Sequence, residues 1–170
     1  MENTIDKKTL RNIIDYVCEY FEIRPDDIDQ IRYETVDNLS ELSDMKSTYY
    51  MYDSCCASSL NITKYFIVRD NGIIIDVEYA YETNEYGSNY DPDNSIERDI
   101  YVGDYINDNT AYIVEYERNY QDYNEYIDER ILTIYIPKNK INKEKIKNDI
   151  IKKIKDTDDL SKLLEIWNRL

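Results

Sequence analysis

Histidine is absent from the 170-residue chain, and cysteine occurs three times, at Cys18, Cys55 and Cys56. Without histidine, the usual general base and the usual nitrogen ligand of zinc and iron are both missing. Cys55 and Cys56 are adjacent, and no further cysteines stand near them to complete a tetrahedral metal site, so we expect structural cysteines. The sequence predicts no catalytic residue, no metal site and no cofactor.

Glycine is also scarce, with three residues at positions 72, 87 and 103, which excludes a glycine-rich phosphate-binding loop. The segment DPDNSIERD alternates oxygen ligands, but a calcium loop of the EF-hand kind needs glycine and glutamate where Ile96 and Val102 stand. No apolar run approaches 18 residues and no signal peptide is recognised, so neither membrane insertion nor secretion is predicted. Together with an odd number of cysteines, this indicates a cytoplasmic protein.

Acidic side chains dominate the residues that are present, and the net charge is −15. Residues 137–170 hold ten basic and six acidic side chains, so the remaining 136 residues carry a net charge of −19. This negative charge repels the phosphates of nucleic acid, so direct binding of nucleic acid is not expected. Two interpretations stay open, namely attraction of a basic protein surface and simple solubility.

Tyrosine outnumbers phenylalanine by 19 to 2. Tyrosine suits positions that are apolar on one side and wet on the other, which include half-exposed strands and protein interfaces. The excess of tyrosine therefore indicates either an ordinary half-exposed sheet or a binding surface.

The N-terminal region has the clearest helical pattern. Asp6 can cap a helix whose apolar residues recur at helical spacing: Leu10, Ile13, Ile14, Val17 and Phe21. Pro25 ends this helix, because the residue before a proline is pushed out of helical geometry. A short helix beginning at Asp26 and a third helix within residues 35–47 are also predicted, which makes residues 1–46 the helical part of one domain spanning residues 1–170.

The middle of the chain predicts strands. Asn71 and Gly72 lie between two β-branched runs, which is the strongest short-range signal for a hairpin. Strands are expected at about residues 62–69, 73–82, 96–102, 110–120 and 125–136, within a sheet region of residues 47–137. Consecutive strands of this kind predict an antiparallel meander.

The segment YIVEYERNYQDYNEYIDERILTIYI (residues 112–136) fits two patterns. As a helix it would carry a stripe of Tyr116, Tyr120, Tyr123 and Ile127. Its β-branched flanks and period-two alternation favour two antiparallel strands instead, joined near residues 121–124. We predict the hairpin.

Residues 141–170 return to helical spacing, with Ile146, Ile150 and Ile154 on one face and a second apolar face ending at Trp167. The predicted fold class is therefore α+β, with an N-terminal helix or helices, a roughly five-stranded antiparallel meander and two C-terminal helices.

Two acidic links are the candidate binding site. In a meander, the links at residues 82–95 and 119–129 would emerge at the same end of the sheet, and together they carry eight acidic and no basic side chains. Tyrosine supplies stiff contact area, and carboxylates attract a basic partner. The candidate partner-binding residues are Glu82, Glu85, Tyr86, Tyr90, Asp91, Asp93, Tyr120, Asp122, Tyr123, Glu125 and Tyr126.

These features favour a small acidic interaction protein that occupies a basic groove, in concrete form an inhibitor of a nucleic-acid-binding enzyme of the immunity or phage anti-defence type. Carboxylates would replace phosphates, and tyrosines would replace stacked bases. The alternatives are a carboxylate and divalent-metal enzyme using Asp76 and Glu78, an assembly protein whose strand edges pair between subunits, and acidic loops that serve solubility alone.

Overall fold

The computed structural model describes residues 5–54, 57–78, 80–83, 95–98, 100–123, 125–138 and 151–152. These residues form one long helix, several short 3-10 turns and eight strands. The elements are α1 (Lys7–Tyr20), β1 (Gln30–Val36), β2 (Thr48–Ser54), β3 (Ala57–Arg69), β4 (Ile74–Asp76), β5 (Ala80–Thr83), β6 (Ser95–Arg98), β7 (Thr110–Gln121) and β8 (Ile127–Pro137).

Helix α1 begins where the sequence predicts. The carboxylate of Asp6 accepts hydrogen bonds of 3.0 Å from the backbone N–H groups of Lys8 and Thr9 and one of 2.6 Å from the Thr9 hydroxyl. The hydrogen bond from the Thr9 hydroxyl is the main reason why the pKa of Asp6 lies below its ordinary value. Ile13 and Val17 are buried, so the predicted N-terminal helix and its apolar face are confirmed.

The main sheet has six strands in the order β1-β8-β7-β3-β2, with β4 also paired to β3. All of its pairs are antiparallel except β1 with β8, which run parallel. β5 and β6 pair with each other as a separate two-stranded sheet. The described residues therefore show an α+β fold with one N-terminal helix and a mixed sheet.

Both faces of the main sheet are covered over part of their length. α1 packs on one face, where the buried side chains include Ile62, Phe66, Val114, Tyr116, Leu132 and Ile134. The 3-10 turns Leu39–Leu42 and Val102–Tyr105 pack on the other face, over Tyr65, Ile67, Ile113 and Tyr135. Successive side chains of β3, β7 and β8 therefore point alternately into the apolar layers on the two faces of the sheet, as the alternation of side chains along a strand requires.

Both predicted hairpins are present. The Asn71 and Gly72 turn joins β3 to β4, and Gly72 has a φ of 82°, which glycine adopts at no steric cost. β7 and β8 pair antiparallel from Ile113 with Tyr135 to Gln121 with Ile127. The interpretation of residues 112–136 as a hairpin is therefore confirmed.

The predicted fold class was wrong in three respects. The sheet is mixed and is not a five-stranded meander, because β1 joins β8 in parallel and β7 pairs with β3 rather than with β6. Residues predicted to be helical form β1 and two short turns, at Pro25–Asp27 and Leu39–Leu42. The sequence does not predict β1, because pairing with a partner far along the chain does not show in the local spacing of apolar residues. It predicts a helix at the second turn because Leu39 and Leu42, three residues apart, fit a 3-10 turn as well as a helix.

The third error concerns the strands between β3 and β7. The predicted strand 73–82 is divided into β4 and β5, and the predicted strand 96–102 ends at Arg98 before a 3-10 turn. This turn needs glycine, because a Cβ at Gly103 would lie 2.9 Å from the Cβ of Ser43.

The part of the chain that the structure describes contains no pair of C-terminal helices. The helices predicted within residues 141–170, including Trp167, lie outside the described residues, except for residues 151 and 152, which are helical.

Candidate functional site

The tip of the β7–β8 hairpin is fastened to the neighbouring strand. The carboxylate of Asp122 accepts hydrogen bonds of 2.6 Å from the Ser58 backbone N–H and 2.9 Å from its hydroxyl. The backbone N–H of Asp122 donates in turn to the Ser58 carbonyl, at 3.1 Å. The bond from the Ser58 N–H is the main reason why the pKa of Asp122 lies below its ordinary value. Asp122 thus has a structural partner within the chain.

Three charged side chains brace the hairpin behind the tip. Arg118 on β7 makes a bidentate contact with Asp128 on β8, at 2.9 and 3.1 Å. Arg130 donates to the same carboxylate at 2.7 Å. Bidentate guanidinium contacts fix both distance and orientation. The cluster of Arg118, Asp128 and Arg130, here called the arginine clamp, therefore holds the two strands in register.

Tyrosine rings rest on the arginine clamp. The guanidinium of Arg118 lies 5.5 Å from the ring centre of Tyr120, within range of a cation–π contact. Tyr126 packs edge-on against Tyr120, with ring centres 6.0 Å apart. Tyr126 is nevertheless 71% exposed, and Tyr123 is 48% exposed. The tip thus presents aromatic surface to solvent on a braced base.

An apolar strip that the sequence did not reveal continues from this tip. The register places Met51 of β2 beside Leu60 of β3, and Leu60 beside Tyr120 of β7, so the three share one face of the sheet. Met51 is 55% exposed. Serine and tyrosine within residues 47–59 fit a strand and a loop equally, so this stretch of sequence gives no clear signal for the strip.

The structure brings together only some of the predicted site residues. Tyr120, Asp122, Tyr123, Glu125 and Tyr126 lie at the hairpin tip, and Glu82 lies in β5. The predicted residues Glu85, Tyr86, Tyr90, Asp91 and Asp93 fall outside the described residues. Because β5 and β6 form their own sheet, the reasoning that a meander would bring the two links together no longer applies. The arginine clamp also offsets the charge of Asp128, which had been counted with the acidic link.

Asp76, one of the two carboxylates considered for metal chemistry, contacts a lysine. The Nζ of Lys64 lies 2.5 Å from the Oδ1 of Asp76 and donates 2.7 Å to the Val77 carbonyl. The Lys64 side chain is fully buried and lies 5.2 Å from the ring centre of Tyr20. Burial lowers the pKa of Lys64, and the hydrogen bond with Asp76 opposes this shift. Across the residues that the structure describes, no three metal-ligating side chains gather to hold an ion.

A second buried polar group lies on the opposite face of the sheet. The carboxylate of Glu115 accepts hydrogen bonds from the hydroxyls of Tyr65, at 2.6 Å, and Tyr135, at 2.5 Å. Burial, followed by the bond with Glu115, raises the pKa of both tyrosines above the ordinary value of 10.0. All three residues are buried, so this group links three strands and is closed to a substrate.

Comparison with known protein families, curated proteins and solved structures gives no match for this chain. Among the described residues, no helix has both the length and the apolar character needed to cross a membrane.

Proposed function

We propose that the protein is a binding protein whose β7–β8 hairpin tip docks on a basic surface of a partner protein. The observation that carries this proposal is the position of Tyr126, which is held against Tyr120 and yet remains 71% exposed. Tyrosines that are fixed before binding lose little conformational freedom when they become buried at an interface. The tip therefore has the properties of an aromatic anchor.

The charges around the tip favour a basic partner. Residues 117–130 contain five acidic and two basic side chains, and the arginine clamp neutralises only part of this charge. Glu125 and Glu129 are exposed. Exposed carboxylates around an aromatic anchor attract cationic surfaces and speed the encounter.

The finer proposal is an inhibitor that occupies the nucleic-acid groove of its partner, as an immunity or phage anti-defence protein does. Grooves that bind nucleic acid combine cationic side chains with aromatic or apolar platforms for the bases. Carboxylates and exposed tyrosines on one braced hairpin offer the complementary chemistry. This proposal predicts that nucleic acid and the protein compete for the same groove.

The experiment compares capture of partners from an extract of the native host by the wild-type protein and by paired variants. Tyr126→Ala and Tyr123→Ala should raise the dissociation rate of the captured partner, because they remove anchoring contact. Ile73→Ala is the matched control, since Ile73 is 57% exposed beside the β3–β4 turn at the other end of the sheet.

A second pair of variants tests the charge. Glu125→Gln should slow association and flatten its dependence on salt, whereas Asp108→Asn, an exposed site at the opposite end of the sheet, should change neither. Addition of nucleic acid should release the partner if its nucleic-acid groove is the contact. Equal binding by all five variants would contradict the proposed site.

A further inference from the structure

Strand β1 forms one edge of the main sheet and is open to solvent. Among the described strands it pairs only with β8. Five of its seven residues are exposed: Gln30, Ile31, Arg32, Glu34 and Thr35. Edge strands are usually protected by charged side chains, especially lysine, by proline or by a bulge. The sequence QIRYETV contains neither lysine nor proline, its two charges, Arg32 and Glu34, are of opposite sign, and its pairing with β8 is regular over all seven residues.

The backbone geometry shows which groups of β1 face outward. Arg130 directs both its backbone groups toward the β1 side, because its N–H donates to the Asp29 carboxylate and its carbonyl accepts from the Asp29 N–H. Even-numbered residues of β8 therefore bond toward β1. Since Arg32 is level with Thr133 in a parallel pair, it bonds to the residues on either side of Thr133. The backbone groups of Ile31, Tyr33 and Thr35 consequently point away from β8.

The side chains of β1 are complementary to a second copy of the same strand. If two copies of β1 run antiparallel about a two-fold axis at Tyr33, Arg32 of each copy lies directly opposite Glu34 of the other. Ile31 then lies opposite Thr35. Because Tyr33 would be a hydrogen-bonded pair with its own copy, Arg32 and Glu34 would occupy the adjacent non-bonded positions, where side chains are closest.

We propose that the protein forms a two-fold symmetric dimer through antiparallel pairing of β1 with β1 of a second copy. About six backbone hydrogen bonds would join the two six-stranded sheets into one, because three residues of each copy turn their N–H and C=O groups outward. The same arrangement discriminates against other strands, since an unrelated edge would leave Arg32 and Glu34 without opposite charges. This proposal does not depend on the partner of the hairpin tip.

The present contacts of these side chains leave them available. Arg32 donates to the side-chain oxygen of Gln30, at 3.0 and 2.8 Å, which is an exposed contact with a neutral group. A carboxylate accepts more strongly than an amide, so Glu34 of the second copy can replace Gln30.

Charge reversal tests the arrangement. The wild-type chain, with a mass of 20.5 kDa, should sediment as a dimer in analytical ultracentrifugation. Arg32→Glu alone and Glu34→Arg alone each place like charges opposite one another twice, so each should weaken dimerisation by about tenfold or more. A mixture of these two variants restores opposite charges at both positions and should form a heterodimer. Circular dichroism of each variant checks that it is folded.

A backbone variant provides an independent measurement. Thr35→Pro removes one outward N–H and should weaken the dimer, whereas Thr35→Ala keeps that donor and should not. A wild-type chain that stays monomeric at all accessible concentrations would overturn the proposal. A dimer that persists unchanged in Arg32→Glu, Glu34→Arg and Thr35→Pro would also overturn it, because the contact would then lie elsewhere.

Discussion

Lys64 and Asp76 form an ion pair of 2.5 Å in which the lysine is fully buried while the aspartate remains partly open to solvent. The two groups are therefore not equivalent. Removal of the carboxylate leaves a cation in the apolar layer beneath α1, whereas removal of the cation leaves a carboxylate that is 26% exposed, although its Oδ1 is buried. A buried charge without its counterion is strongly destabilising.

The first prediction follows from this asymmetry. Asp76→Asn should lower the free energy of unfolding by about 1–3 kcal/mol, since the partial exposure of Asp76 reduces the full cost of breaking a buried pair. Lys64→Met replaces the lysine by an apolar side chain of similar volume. It should lower the free energy of unfolding by less than Asp76→Asn does, chiefly because the hydrogen bond to the Val77 carbonyl is lost. Urea unfolding of both variants measures this order, and a larger loss for Lys64→Met would contradict it.

The second prediction concerns alkaline pH. The pKa values of Tyr65 and Tyr135 are raised in the folded protein, so the unfolded chain releases these protons first as the pH passes 10.0. The folded state then binds more protons than the unfolded state, and stability must fall with rising pH. Tyr135→Phe should show a shallower fall above this pH in urea titrations. An unchanged slope would show that the raised pKa of Tyr135 is not linked to folding.

A third prediction tests the buried carboxylate between these tyrosines. Glu115→Gln should lower the free energy of unfolding by about 1.5–3 kcal/mol. The reason is that neutral hydrogen bonds replace charge-assisted ones and that the amide brings a donor next to the two tyrosine hydroxyls. Glu125→Gln is the control, since Glu125 is exposed at the hairpin tip and should change stability by less than about 0.5 kcal/mol. Thermal unfolding of the two variants gives the comparison.

A fourth prediction concerns the core beneath α1. Ile13 is 1% exposed, so Ile13→Ala should cost about 2–4 kcal/mol through lost burial and the cavity that remains. Arg11→Ala, on the exposed side of the same helix, should cost less than about 0.5 kcal/mol. A loss below roughly 1 kcal/mol for Ile13→Ala would mean that the helix is held mainly by other contacts.

A fifth prediction separates structure from binding at the hairpin tip. Asp122→Ala should destabilise the fold, because the N–H of Ser58 loses its acceptor. Glu125→Ala should leave stability unchanged and affect only binding. Equal melting temperatures for the two variants would show that the bonds donated by Ser58 to the Asp122 carboxylate add nothing to stability.

Sequence patterns predicted the elements whose causes are local. Asp6 and the apolar spacing after it specify α1, and Asn71 with Gly72 specifies the β3–β4 turn. The parallel pairing of β1 could not be predicted, because the partner of Gln30 is Ile131 and no pattern near β1 records that contact.

The contacts of the buried polar residues could be inferred from the sequence only indirectly. Lys64 stands between Ile62 and Phe66 at a position where alternation requires an apolar side chain, and its partner Asp76 lies beyond a turn. At the candidate site, the sequence predicted the tyrosines of the hairpin tip but not the arginine clamp. Arg130 and Asp128 share one face of β8, but the contact of Arg118 with Asp128 depends on the register of β7 and β8.

The attachment of β1 has a consequence for the order of folding. β3 meets β4, and β7 meets β8, across short turns, whereas Asp29 reaches Arg130 over 101 positions. Closing so long a loop costs more chain entropy than closing a turn, so β1 should dock after the hairpins have formed. A strand that arrives last at an exposed edge is also the first to detach. At protein concentrations where the chain is monomeric, local opening at β1, measured by amide hydrogen exchange, should therefore need less free energy than opening at β7.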